Sequence, residues 1–192
     1  HDALPISSAL STDQIDVENG KRYNIEFFDE QNKPQHPIIL HNSPSGAIER
    51  VIYALLEKAA KDAKEGRKSH LPLWLSPTQV RLIPIKPEFL QFCENLADKI
   101  TNEKIRVDID DRNESIGKRI REAETEWIRY ILVIGEKEVS AKDLNVRDRE
   151  TGDVKQIDFD DFVQQINEQI KEKPFSHLNS NRFISKRPQI MV

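Results

Sequence analysis

Apolar and polar positions alternate at the start of the chain and switch to a helical period further on. Gln14-Ile-Asp-Val17 and Tyr23-Asn-Ile-Glu-Phe-Phe28 alternate, and Asn19-Gly20 between them is a turn signal. Residues 8 to 41 are therefore expected to be antiparallel β structure. Pro37-Ile-Ile-Leu40 adds a strand, which ends at His41 after the loop Asp29 to Pro34. Ile48, Val51, Ile52, Leu55, Leu56 and Ala59 then recur at helical spacing. Ser43 suits the N-cap of that helix and Pro44 its first position. The charged stretch from Lys61 to Ser69, with Gly66 in it, reads as helix end and linker. That puts a domain boundary near residues 62 to 70.

Beyond the linker, strands and helices alternate. Gln79 to Ile85 reads as a buried strand, and Pro87 opens a helix with core face Phe89, Cys93, Leu96 and Ile100. Ile105 to Ile109 is the next strand, running into a helix with an Asn cap and the apolar stripe Ile116, Ile120, Ala123 and Trp127. Ile131 to Ile134 is uniformly apolar. Val139 to Ile157 predicts a hairpin turning at Glu150-Thr-Gly-Asp153. Phe159, Phe162, Val163, Ile166 and Ile170 mark a last helix that stops before Pro174. Apolar runs buried on both faces indicate a sheet between helices. The fold class is α/β, with a mixed, mostly parallel sheet flanked by helices and preceded by a smaller antiparallel β plus helix segment. The tail from Phe175 to Val192 has little periodicity; Phe183, Ile184, Ile190 and Met191 are its candidates for docking.

Composition narrows this picture. Of 192 residues, 37% are hydrophobic and 32% charged, the balance of a surface-rich globular protein. No run approaches the roughly 20 apolar residues that span a bilayer, and no basic-then-apolar leader opens the chain. Cys93 is the only cysteine, which excludes an intrachain disulfide and fits a cytoplasmic location. The net charge of -4 argues against general nucleic-acid affinity. An RNA site here must be a local patch.

Two groups of residues could carry chemistry. His41 and Arg50 flank Ser43-Pro-Ser-Gly-Ala-Ile-Glu. A neutral imidazole is a zinc ligand, and a fixed guanidinium suits a nucleotide phosphate. On spacing alone the pair reads first as a partly buried His and a surface Arg, since one His does not make a zinc site. The second group is Asn113, Lys118, Arg121, Glu138 and Arg147, placed around strand ends and helix starts. By pattern alone these are ordinary loop and surface charges. Their expected place at the rim of an open sheet is where such folds bind ligands, and amide, carboxylate and guanidinium groups can read a splayed RNA loop. Asp108, Asp110 and Asp111 cluster nearby and read as partners for Arg rather than as a metal site. No Gly-rich phosphate loop follows a strand, which weakens a generic nucleotide-binding reading.

Several segments resemble class II aminoacyl-tRNA synthetases, the threonyl-tRNA synthetases above all. His41 followed by Gly46-Ala-Ile-Glu-Arg50 is similar to motif 3 of that family, and Ser11-Thr-Asp-Gln-Ile-Asp16 to its Thr-x-Gln-x-Asp strand, with Asp13 where an apolar residue is usual. Leu73-Trp-Leu-Ser-Pro-Thr-Gln-Val80 looks like the lead-in to the family's anticodon-binding domain. Arg112-Asn-Glu-x-Ile-Gly-Lys-x-Ile-Arg121, Gly135-Glu-Lys-Glu138 and Val146-Arg-Asp-Arg149 follow in family order. Ile184-Ser-Lys-Arg-Pro-Gln189 is similar to the ending of archaeal-type enzymes.

The resemblance implies a C-terminal piece of such an enzyme. Residues 8 to 65 would be the remnant of the catalytic domain, 70 to 174 the anticodon-binding domain and 175 to 192 the tail. It implies His41 as one zinc ligand, Arg50 and Thr12 at ATP, Gln14 and Thr12 near the threonyl adenylate, and Asn113, Arg121, Glu138 and Arg147 on the threonine tRNA. The parent would be a homodimer that joins threonine to its tRNA using ATP and zinc. This chain alone is expected to be inactive and monomeric, with open strand edges in its first part. His1 to Ser7 resemble a translated sequencing adapter and stand outside the fold argument. The rival reading is a non-catalytic, synthetase-like RNA-binding module, which need not keep Thr12, Gln14, His41 and Arg50.

Overall fold

The computed structural model describes residues 11–44, 46–141 and 143–188. The expectations placed on His1 to Leu10, Ile190 and Met191 lie outside the described residues. The chain forms two compact units, His1–Lys58 and Ala59–Val192.

In the first unit β1 (Thr12–Asp16) is followed by one helical turn, α1 (Asn19–Arg22), then β2 (Phe27–Phe28), β3 (Pro34–Gln35), β4 (Ile39–Ser43) and the greater part of α2 (Ile48–Lys64), whose end from Ala59 counts with the second. Asn19-Gly20 is not the hairpin turn its composition suggests. The Asp16 carboxylate accepts the amides of Glu18 and Asn19, each at 2.9 Å, and this starts a helical turn instead. Gly20 is buried in that turn, where any side chain would run into the Pro37 carbonyl. β1 therefore pairs with β4, antiparallel, and the alternating run Tyr23 to Phe28 contributes only the two-residue β2, paired with β3. Ser43 is the last residue of β4 rather than a cap of α2. Its carbonyl accepts the Gly46 amide at 3.3 Å, and the left-handed φ of 61° at Gly46 delays the helix to Ile48. Ile15, Leu40 and Ile48 are exposed, so the apolar positions of this unit form no core of their own among the described residues.

The second unit contains β5 (Val80–Pro84), α3 (Leu90–Asn102), β6 (Val107–Ile109), α4 (Ile116–Thr125), β7 (Tyr130–Ile134), α5 (Glu136–Ser140), β8 (Asp143–Asp148), β9 (Val154–Asp158) and α6 (Phe159–Ile170). Its sheet runs in the order β6-β5-β7-β8-β9. β5 is parallel to β6 and β7, and β8 is antiparallel to β7 and β9, so the sheet is mixed. Alternate residues decide the two faces. Leu82, Leu132 and Val146 point into a core closed by Cys93 and Ile100 of α3 and Phe162 and Ile166 of α6. Ile83 and Ile131 point the other way, against Ala123 of α4.

Three details differ from the sequence reading. Ser115, not Asn113, caps α4, and its side chain accepts the Lys118 amide at 3.3 Å. Trp127 lies beyond the end of α4 in the left-handed region, φ 59°, so the apolar stripe of the helix is one residue shorter. Val139 belongs to α5, and the hairpin is β8–β9 alone. The tail does dock: Phe183 packs on the core, and the Ile109 amide donates to the Arg182 carbonyl at 2.9 Å along the free edge of β6.

Arg81 and Asp108 are register partners on β5 and β6, and both side chains are fully buried. The guanidinium forks onto the carboxylate, Nε to Oδ1 and Nη2 to Oδ2, both at 2.9 Å. Thr78 and Arg187 donate to the same Oδ2, and Arg81 reaches on to Glu126 at 2.7 Å. Burial pulls the Arg81 guanidinium toward losing its proton; the bonds and charge of Asp108 more than offset this and hold it charged.

Asp108→Ala leaves the buried Arg81 with Glu126 as its only carboxylate and takes a partner from the partly buried Arg187. It is expected to cost about 3–5 kcal/mol in denaturant unfolding monitored by far-UV circular dichroism. Burial pushes the Cys93 thiol up to about 12. A thiol reagent at pH 8 should therefore modify Cys93 only as fast as the domain opens, and at once in denaturant.

Candidate nucleic-acid interface

The register of β1 and β4 decides which residues of the first unit meet. Gln14 stands opposite His41 and Thr12 opposite Ser43, so Thr12, Gln14 and His41 share one face of the ribbon. Asp16 lies on that face too, its carboxylate 4.0 Å from His41 Nε2. The amides of Asn19 and Glu18 hold the Asp16 carboxyl below the usual range. His41 therefore lies within its strand, where the sequence suggested the strand's end. Arg50 is the third residue of α2, in its first turn. Among the described residues no three His, Cys, Asp or Glu side chains are grouped to hold a metal. The residues present offer zinc a single imidazole, which does not fit the metal as a complete site.

In the second unit Glu138 is buried in the first turn of α5. Its carboxylate accepts the Gly135 amide at 3.0 Å and the Asn145 side-chain amide at 2.5 Å. Burial pushes its carboxyl up, but these donors outweigh burial and hold it below the ordinary value. Gly135 follows β7 and caps α5, and a side chain there would meet the end of the Ile85 side chain. Glu138 and Asn145 line a cleft with Ile85, Phe89 and Val133 at the carboxyl ends of β5 and β7.

Asn145 and Arg147 alternate with the buried Leu144 and Val146, so they share the sheet face that carries α4. Their partners on β9, Gln156 and Val154, are exposed. This half of the face is open, whereas α4 covers the half made by β5 and β7. The Arg147 guanidinium lies 4.0 Å from Glu124 of α4, a loose and partly exposed pair. Arg121, three residues before Glu124, is exposed, and its side chain has no bonded partner among the described residues. Asn113 is exposed in the loop between β6 and α4, its amide likewise without a partner there.

Several other charges around α4 are paired. Lys118 bonds Glu114 at 2.7 Å. Arg119 is buried and donates to the Asp110 carbonyl. Arg112 forks onto Asp110 and also meets Glu122 at 2.7 Å. Asp108 is held by Arg81 and Arg187, and Asp111 by Ser185. Of the candidate residues, Asn113 and Arg121 are exposed, Arg147 and Lys118 are in partly exposed ion pairs, and Glu138 is buried with both oxygens bonded. The structure also corrects their placement. Asn113 and Glu138 stand at the strand-end rim, but Arg147 pairs with Ile131 near the start of β7 and lies on the sheet face. Asn145 was missed by the sequence reading, although the polar and apolar alternation of β8 points to it.

A parallel β-α-β core with a polar open face and a rim of amide, carboxylate and guanidinium groups is the architecture of an anticodon-binding domain, and residues 79–169 match the family described as Anticodon binding domain. Along its whole length the chain is similar to threonine–tRNA ligases. It is 68% identical over 191 residues to the threonine–tRNA ligase of Nitrosopumilus maritimus, covering 100% of this chain and 31% of that protein. Identity is 61% to that of Cenarchaeum symbiosum, over 97% of this chain and 30% of the relative. It is 47% to that of Pyrococcus horikoshii, over 98% and 30%. The chain therefore spans less than a third of the length of these relatives. The crystal structure of the RNA binding domain of threonyl-tRNA synthetase from Cryptosporidium parvum shares the fold. Its TM-score is 0.66 at 24% identity, covering 87% of this chain and 39% of that one.

A depressed carboxyl contributes stability that is present above its unfolded value, ordinarily about 4.5 for Glu, and lost as pH falls through the folded one. Glu138→Gln turns one acceptor toward an N–H donor and is expected to cost about 1–3 kcal/mol near pH 7. Urea unfolding of both proteins across pH should show a constant gap above pH 5 that closes in acid.

Proposed function

We propose that this chain supplies anticodon recognition, and part of the aminoacylation centre, to a threonine–tRNA ligase that joins threonine to its tRNA with ATP. On this reading Glu138 and Asn113 accept from and donate to base edges at the rim. Arg121 and Arg147 meet the backbone or stack on unpaired bases. Thr12, Gln14 and Arg50 belong to the adenylate site, Thr12 and Arg50 toward ATP. His41 is one ligand of a zinc ion whose other ligands lie elsewhere in the enzyme. The observation that carries the reading is the open half of the sheet. It is a polar sheet face beside the cleft that holds the buried Glu138, and Arg147 lies on it, 4.0 Å from Glu124 of α4.

The shared ribbon face of Thr12, Gln14 and His41 supports a synthetase over a pure binding module, which has no use for that alignment. The relatives are about three times as long, so this chain by itself does not charge tRNA. The working enzyme is a cytoplasmic homodimer. Among the described residues no helix is long and apolar enough to cross a membrane.

The test is binding of threonine tRNA transcripts, with native and altered anticodons, at about 150 mM salt, because phosphate contacts are salt-sensitive. An altered anticodon is expected to weaken binding. Asn113→Ala or Arg147→Ala is expected to weaken native binding by about 1–3 kcal/mol and to flatten the difference between transcripts. Equal binding of every transcript would sink the assignment.

A further inference from the structure

We propose that the tail, residues 181–188, is a clasp that positions the Asn113 loop, with Ser185 as the positioning residue through which it acts. The inference rests on the anticodon reading above and adds a determinant outside the matched domain residues.

The argument starts from how the loop is held. Asn113 sits between Asp110 and Ser115, and no hydrogen bond of its own side chain fixes it among the described residues. On its C-terminal side the loop is fixed by the Ser115 cap and by Arg119, which donates to the Asp110 carbonyl at 2.9 Å, and within it Arg112 forks onto Asp110 and meets Glu122. On the N-terminal side the Asp110 amide donates to the Leu82 carbonyl at 2.9 Å. Asp111 turns toward the tail: its carboxylate accepts the Ser185 amide at 2.9 Å and the Ser185 hydroxyl at 2.5 Å. Two hydrogen bonds to one ionised carboxylate fix its orientation as well as its position. Asn113 follows two residues later.

The tail is itself anchored independently of Ser185. Arg182 continues the β6 edge through its carbonyl and meets Asp98 at 2.5 Å. Phe183 packs on the core. Arg187 donates to Asp108 at 2.9 Å, and its Nε to the Asn181 carbonyl at 2.8 Å. The segment is therefore a fixed body with one exposed hand on the loop. A loop residue that must meet a base edge within hydrogen-bond reach needs such support, because small misplacements forfeit the contact.

The experiment uses the 192-residue chain and two readouts. Hydrogen exchange of the amides of residues 111–115 reports the loop directly. Discrimination between native and altered anticodon transcripts reports recognition. Ser185→Ala should speed loop exchange by roughly tenfold, the loss expected for a charge-assisted hydrogen bond. It should cut discrimination several-fold with global unfolding unchanged, and Ser185→Thr should restore both. In an Asn113→Ala background, Ser185→Ala should have no further effect on discrimination. If Ser185→Ala leaves the loop protected, or lowers affinity for all transcripts alike, or adds to Asn113→Ala, the clasp is overturned while the anticodon reading stands. If Asn113→Ala itself leaves discrimination unchanged, the anticodon reading falls and takes this proposal with it, even where the loop loosens.

Discussion

The second unit is organised around a carboxylate with no access to water. Asp108 is fully buried on the edge strand β6 and must be neutralised where it stands. Arg81 does so across the β5–β6 pairing, with Thr78 from the segment before β5 and Arg187 from the tail. Arg81 then carries the network to Glu126 just past α4. One oxygen pair thus ties the lead-in segment, the two strands and the tail, and through Arg81 the end of a helix, in a common geometry. A network of this kind stabilises little against an apolar replacement, yet losing one member is severe. Its contribution is to specify a single arrangement of elements that meet there from distant parts of the chain.

The same logic recurs at smaller scale in the interface. Glu138 is pinned by the Gly135 amide and by Asn145, so its position depends on the turn out of β7 and on the placement of Asn145 on β8. Arg112 and Arg119 are spent on the fold, while Arg121 is exposed and Arg147 only loosely paired. An acidic protein can hold a local basic strip in this way, with neighbouring carboxylates absorbing the other charges.

Periodicity made most of the second unit legible. The apolar runs of β5 and β7 and the stripes of α3 and α6 correspond to the core because burial on a face imposes a period that sequence retains. What was not legible depended on single side chains acting on the backbone. Asp16 turned a hairpin signal into a helical turn, Gly46 delayed α2, and Ser115 displaced Asn113 as the cap. Buried charges were equally hidden: Arg81, Arg106 and Arg119 look like surface residues until their partners are placed. Asn145 escaped for a related reason, since its role depends on Glu138, which is separated from it by a helical turn and a loop. For the first unit the pattern gave strands but not their pairing, because β1 and β4 are joined across more than twenty residues.

The docking of the tail along β6 also bears on how the chain folds during synthesis. β5 is made before either neighbour, and its second flank arrives only with β7. Arg182 and Arg187 come later still, after α6. Until they emerge from the ribosome, the Ile109 amide lacks its acceptor and Asp108 lacks one of its cations. The nascent domain therefore passes through a stage in which all its strands exist while one sheet edge is still raw. The segment after α6 closes that edge once it has been translated.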